Sequence, residues 1–154
     1  MKKLMGLLPL LPVLVMTSAE PSGYKYWSAA ELKSMSRPLS HKANERTSDE
    51  NLANWGADRA LMVHRTGTGS AELHEHDSDL IIVISGAGAL LIGGKMEGGK
   101  TTAPGEIRGT SIEGGEKQKI AAGDIMHIPP KTPHQVMLAP GTQITYYTLK
   151  VKEQ

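Results

Sequence analysis

Leu73 to Asp79 reads L-H-E-H-D-S-D, two histidines and three acids in seven residues. On an extended strand successive side chains point to opposite faces, so His74 and His76 share one face about 6–7 Å apart, with Leu73 and Glu75 on the other. Two imidazoles at that spacing can converge on one metal ion, each from about 2 Å. A polar strand end has the same composition, and two residues do not make a metal site. A third and a fourth ligand have to come from elsewhere.

The best source is G-D-I-M-H-I-P-P-K-T-P-H-Q-V, from Gly123 to Val136. Gly123-Asp124 opens a turn, Ile125 to Ile128 makes a strand, and Pro129, Pro130 and Pro133 stiffen the turn that delivers His134 to the return strand.

Together the two segments resemble the two signature motifs of the cupin superfamily. The first motif is a glycine, a strand bearing H-x-H, an acid three or four residues on, then six residues to a glycine. Gly69, His74, His76, Asp79 and Gly86 fall on it, with L-I-I-V-I-S between Asp79 and Gly86. Gly123, Pro129 and His134 fall on the second. The chain departs from the pattern in four places. Only two residues separate His76 from Asp79, and the acid is Asp where Glu is usual. Lys131 stands at the turn glycine and Leu138 at the asparagine. A non-glycine residue avoids positive φ, so Lys131 predicts a different turn.

The resemblance implies an all-β, cupin-type double-stranded β-helix, a jelly-roll barrel with a short helical N-terminal segment. It also implies one divalent transition metal, Fe, Mn, Zn, Ni or Cu, on His74, His76 and His134. Asp79 is the conditional fourth ligand, or orients a histidine from outside the coordination sphere. Barrels of this kind often pair, which implies a homodimer.

The rest of the chain must position these residues. One domain is expected from 154 residues. Lys2 and Lys3, an apolar run from Leu4 to Met16 and small residues at Thr17-Ser18-Ala19 resemble a secretory signal, cleaved near Ala19 to give a periplasmic or secreted protein. The run is interrupted by Pro9 and Pro12 and falls short of the roughly twenty residues that span a bilayer, so no stable membrane anchor is expected.

Residues 20–58 are polar and mixed and should pack across the outside of the barrel. Ser28 and Glu31 have capping-box spacing, for a helix ending before Arg37-Pro38, and a second short helix is expected near Ser48 to Asn54. In the barrel, residues 59–154, the strands should be Ala60–Arg65, Ala71–His76, Leu80–Ser85, Ala87–Ile92, Gln118–Ala121, Ile125–Ile128, Gln135–Leu138 and Ile144–Lys152. The glycine-rich interval from Gly93 to Gly123 reads as an extended loop with a short strand near Glu106–Arg108.

Two further histidines are candidate catalytic residues. His127 shares a strand face with Pro129 and is expected to point inward; His64 precedes the first motif. With an unperturbed pKa near 6.5 either is suited to moving protons. Tyr146 and Tyr147 are adjacent, so one should be buried.

A formal charge of +1, about −1 once Lys2 and Lys3 are removed, gives no electrostatic footprint for nucleic acid. Without cysteine there is no thiolate site and no disulfide framework. The expected partner is a small organic molecule. The expected function is a metal-dependent enzyme of oxygenase, lyase or isomerase type; the alternatives are a non-catalytic module binding a sugar or other small ligand, and a metal-free structural barrel.

Overall fold

A computed structural model describes residues 22–41 and 46–153. The expected signal segment and its cleavage point lie outside these residues. Among them no helix is long and apolar enough to cross a membrane.

The helix α1 runs Ala29–His41. It opens on the expected capping box: Glu31 Oε2 accepts from Ser28 N at 2.7 Å and Ser28 Oγ from Glu31 N at 3.2 Å. It does not end before Pro38. The proline forfeits one rung of hydrogen bonding, and burial of Leu39 against the sheet, where its carbonyl accepts from Ser48 Oγ at 2.9 Å, outweighs that loss.

The second expected helix is a strand. β1 (Thr47–Trp55) pairs antiparallel with β2 (Asp58–Arg65), Ser48 opposite His64. Residues 47–55 are thus the outer strand of the barrel sheet and do not merely lie across it. Further back, Trp27 packs edge-on to Trp55 at 6.2 Å, and Trp55 Nε1 donates to Gly23 O at 2.7 Å.

The remaining strands are β3 (Ala71–His74), β4 (Asp77–Ile92), β5 (Lys95–Glu97), β6 (Lys100–Ala103), β7 (Glu106–Gly109), β8 (Ser111–Glu113), β9 (Glu116–Ala121), β10 (Ile125–Ile128), β11 (His134–Met137) and β12 (Ile144–Lys152). The large sheet runs β1-β2-β12-β4-β11-β3-β7-β6, with β9 and β10 also on β4. The glycine-rich interval is therefore not an extended loop: besides the expected strands, which are β7 and β9, it folds into β5, β6 and β8, because its glycines supply positive φ at Gly93, Gly94, Gly98, Gly105, Gly114 and Gly115 and so close tight turns.

The two strands expected over Leu80–Ile92 are one. β4 pairs with β12 and β10 along its first part and with β9 and β11 along its second, so it belongs to both walls of the barrel. It changes walls near Gly86, at φ 81°. Lys131 also takes positive φ, 61°, where a different turn was expected. Its N–H donates to His74 O at 2.6 Å within the proline-stiffened turn, and that contact holds the conformation.

Alternation divides the barrel interior. Val63, Ile81, Val83, Leu90, Ile120, Ile128, Val136, Ile144 and Tyr146 form one apolar cluster. Charged groups on the same strand faces continue the interior beyond it: Arg59 and Arg65 on β2, Asp79 on β4, Lys150 on β12.

Candidate functional site

β3 ends at His74, and its alternation places Glu72 beside His74, not His76. The chain then turns, with Glu75 N donating to Gly105 O at 2.8 Å, and strand periodicity stops. His76 is left exposed, its ring over Gly105, away from His74 and His134. The shared face expected for His74 and His76 is not found, for that reason. Counted from His74, four residues precede Asp79, so the shortfall in the first motif disappears.

The site is built from three cross-strand pairs. Asp79 faces Lys150 in the β4–β12 register, while Glu72 faces Arg108 and His74 faces Glu106 between β3 and β7. Directly opposed side chains start with Cβ atoms about 4.5–5.5 Å apart, close enough to bond.

Lys150 Nζ donates to Asp79 Oδ1 at 2.7 Å and lies 2.7 Å from His74 Nε2. Asp79 Oδ2 is 3.2 Å from His74 Nε2 and 3.4 Å from His134 Nε2. His74 Nδ1 bonds Glu106 Oε2 at 2.7 Å. Glu72 takes Arg65 at 2.8 Å on one oxygen and Arg108 on the other. His134 Nδ1 donates to the Thr132 carbonyl at 3.0 Å, which leaves Nε2 facing Asp79. His134, Asp79, Glu72, Lys150 and Thr148 line a cavity of about 580 Å³, and Thr148 Oγ1 is buried with no hydrogen-bond partner among the described residues. Tyr146 is the buried tyrosine of its pair and accepts from Arg65 Nε at 2.9 Å. Its burial, opposed by Arg65, pushes its hydroxyl up to about 12.

Burial alone would raise each carboxyl, and the neighbouring donors overcome it. Hydrogen bonds to His134 and His74, with the Lys150 charge, hold Asp79 well below the usual carboxylate range. The bond to His74 brings Glu106 down to about 2, and Arg108 and Arg65 lower Glu72. His74 is lowered by burial and by the Lys150 charge and raised more by Asp79 and Glu106, for a net rise; a proton on Nε2 turns that atom to Asp79 and breaks the bond it accepts from the Lys150 ammonium in the neutral ring.

The signs separate by pH. Each depressed carboxylate contributes stability above its unfolded value near 4, lost as pH falls through its folded value. His74, raised, contributes below 6.5 and loses that as pH rises through its folded value. The expected result is a thermal midpoint that drops steeply from pH 4.5 towards 2; a midpoint flat across that window would show that the three carboxylates are not bonded as described.

The two candidate catalytic histidines lie elsewhere. His64 alternates with the cavity-facing Val63 and Arg65 and so faces outward, buried beneath the N-terminal segment. There its Nδ1 meets Thr145 Oγ1 at 2.8 Å, Nε2 has no partner among the described residues, and burial lowers its pKa. His127 and Pro129 do share a face, but it is the exposed one, because Ile128 takes the inward position in the core. Neither histidine lines the cavity.

Sequence reasoning missed Glu72, Glu106, Arg108 and Lys150. Alternation from His74 gives Glu72, and alternation from an inward Tyr146 gives Thr148 and Lys150. Nothing in the sequence shows that Glu106 and Arg108 sit opposite β3.

The implied metal can be tested against these side chains. Glu72, His74 and His134 each offer a ligand atom within 4.8 Å of one another. Ligands at about 2.1 Å from one ion stand roughly 3.0–3.4 Å apart, which the contacts of Asp79 Oδ2 with the two imidazoles satisfy. The ammonium of Lys150, however, occupies the same lone pairs. Four cations, Arg59, Arg65, Arg108 and Lys150, already face three carboxylates, Glu72, Asp79 and Glu106. With Lys150 in this position a divalent ion does not fit.

No protein-family model matches the sequence, and no curated protein does. Solved structures match over most of the described barrel. A conserved protein with a double-stranded β-helix domain from Klebsiella pneumoniae aligns at TM-score 0.56 and 15% identity, over 85% of this chain and 92% of its own. The cupin-2 domain protein Rru_A2000 from Rhodospirillum rubrum aligns at 0.51 and 13%, over 71% and 62%. The DMSP lyase DddQ from Ruegeria pomeroyi aligns at 0.50 and 14%, over 71% of this chain and 49% of the lyase. The architecture is the double-stranded β-helix of the cupin barrels.

Proposed function

We propose that this barrel is a small-molecule enzyme of the lyase or isomerase type that works by proton transfer in its cavity. The observation that carries the reading is Lys150 Nζ at 2.7 Å from both His74 Nε2 and Asp79 Oδ1, on the wall of a cavity that His134 also lines.

The roles follow from which atoms face the cavity. His134 Nδ1–H is committed to a backbone carbonyl, so in the neutral ring Nε2 carries the lone pair that takes a proton from carbon, and Asp79 Oδ2, 3.4 Å away, accepts the hydrogen bond from Nε2–H once that proton has arrived. The Lys150 ammonium hydrogen-bonds a substrate carbonyl oxygen as negative charge develops there. Asp79 and His74 position both, and Thr148 Oγ1 is a spare partner for a polar ligand. A neighbour in fold is a lyase, which accords with this class.

The test is exchange of the proton next to a carbonyl, in D₂O, across a panel of small keto and hydroxy acids, with chelator-treated protein. Wild type should exchange at least one of them, and His134→Ala should lose about 100-fold or more of that rate. Binding without exchange would support the non-catalytic module instead, and no binding and no exchange would sink both.

A second reading, a metal-dependent centre on His74, His134, Asp79 and Glu72 that admits oxygenase chemistry, is favoured by the 3.2 and 3.4 Å spacings. It requires Lys150 to leave. Export and self-association complete the proposal, supported by the basic-then-apolar leader and by the resemblance to barrels that pair.

A further inference from the structure

We propose that Lys150 is the resident cation of this site, closing a cluster of His74, His134, Asp79 and Glu72 to divalent metals, and that removing this one side chain creates a transition-metal site. The inference rests on the placement of the lysine in the proton-transfer reading and adds what the lysine excludes.

The register of β12 fixes the position. Lys150 lies opposite Asp79 on β4 on one side and opposite Arg59 on β2 on the other, two positions beyond Thr148 and four beyond Tyr146 on the same face. The residue is 8% exposed. Its ammonium therefore has one place to go, against His74 Nε2 and Asp79 Oδ1. Those two atoms, with His134 Nε2 and the second oxygen of Asp79, are the atoms that would bind an ion. A metal and the ammonium compete for the same electrons.

Truncating Lys150 removes one positive charge and leaves two buried acceptors without a donor, which is costly unless another cation arrives. Two imidazole nitrogens and carboxylate oxygens suit Co(II), Zn(II), Ni(II) or Fe(II). His74 and His134 are already oriented by Glu106 and Thr132 O through their Nδ1 atoms, the support that metal-binding histidines need. Glu72 is held by Arg65 and Arg108, so it is the weakest member of the set.

The experiment is titration of the full chain with Co(II), read by its visible absorption and by the thermal midpoint, for wild type, Lys150→Arg and Lys150→Ala. Outer groups that act on a metal's ligands shift affinity by about 10–100-fold. Lys150 blocks the ligands directly, so Lys150→Ala is expected to bind one Co(II) at least about 100-fold more tightly than wild type, with a rise in midpoint. Lys150→Arg should behave as wild type. If Lys150→Ala does not fold, Lys150→Gln, which also removes the charge, takes its place.

Tight Co(II) binding by wild type would overturn the inference and give the site to the metal-dependent reading. No gain in Lys150→Ala or Lys150→Gln, in folded protein, would overturn the inference alone and leave proton transfer standing. A gain on truncation together with no proton exchange by wild type would support the inference and remove the proposed activity.

Discussion

Asp79→Ala is expected to lower the free energy of unfolding by roughly 3–5 kcal/mol, the cost of breaking a buried ion pair on one side. Asp79 is 4% exposed, and its two oxygens serve Lys150, His74 and His134 at once. Without it the ammonium keeps His74 as its one hydrogen-bond partner among the described residues and is buried with no carboxylate bonded to it directly. Urea denaturation at neutral pH measures the loss. A change under about 1 kcal/mol would mean that Lys150 is solvated and the pair is not as described. Removing both charges should recover part of the loss, because residues in one network couple in a double-mutant cycle. Asp79→Ala with Lys150→Leu is therefore expected to be more stable than Asp79→Ala alone.

Gly86→Ala is expected to cost roughly 3 kcal/mol, from overpacking together with a left-handed backbone. A Cβ at residue 86 would lie 2.0 Å from Gln143 O, a backbone atom, while φ is 81°. Both strands have to shift, and β4 cannot do so without moving Asp79 on one side of the bend and the partners of β11 on the other. Thermal unfolding reads the loss. A midpoint within a degree of wild type would show that the bend at Gly86 is not a fixed point of the barrel.

The sequence reading succeeded where a residue's neighbours in the chain decide its fate. Ser28 and Glu31 cap a helix through local bonds, and Tyr146 and Tyr147 divide inside from outside by alternation alone. The short apolar runs bounded by glycine and proline made β2, β3, β4, β9, β10, β11 and β12 legible but not β1, β5, β6 or β8, and the two motifs pointed to His74, Asp79 and His134, which the structure brings together.

It failed where distant pairing decides. Ser48 to Asn54 has no strong strand propensity, and only the register with β2 makes it extended. Strand alternation holds only to the end of β3 at His74, and carried two residues further it gives His76 the place that belongs to Glu72. The same rule, carried along β12 from Tyr146, would have reached Lys150. Glu106 and Arg108 were illegible for a different reason: their meaning lies in the strand they face, some thirty residues away.

Lys150 lies on β12, the last strand of the described residues, 71 and 76 residues from the two side chains it holds. In a chain made from the N-terminus, His74, Asp79 and His134 are all complete before Lys150 is added. Pairings that close such long loops are slow to form. The buried charges of the site are therefore balanced only when β12 pairs with β4, so closure of the barrel and completion of the site are one event.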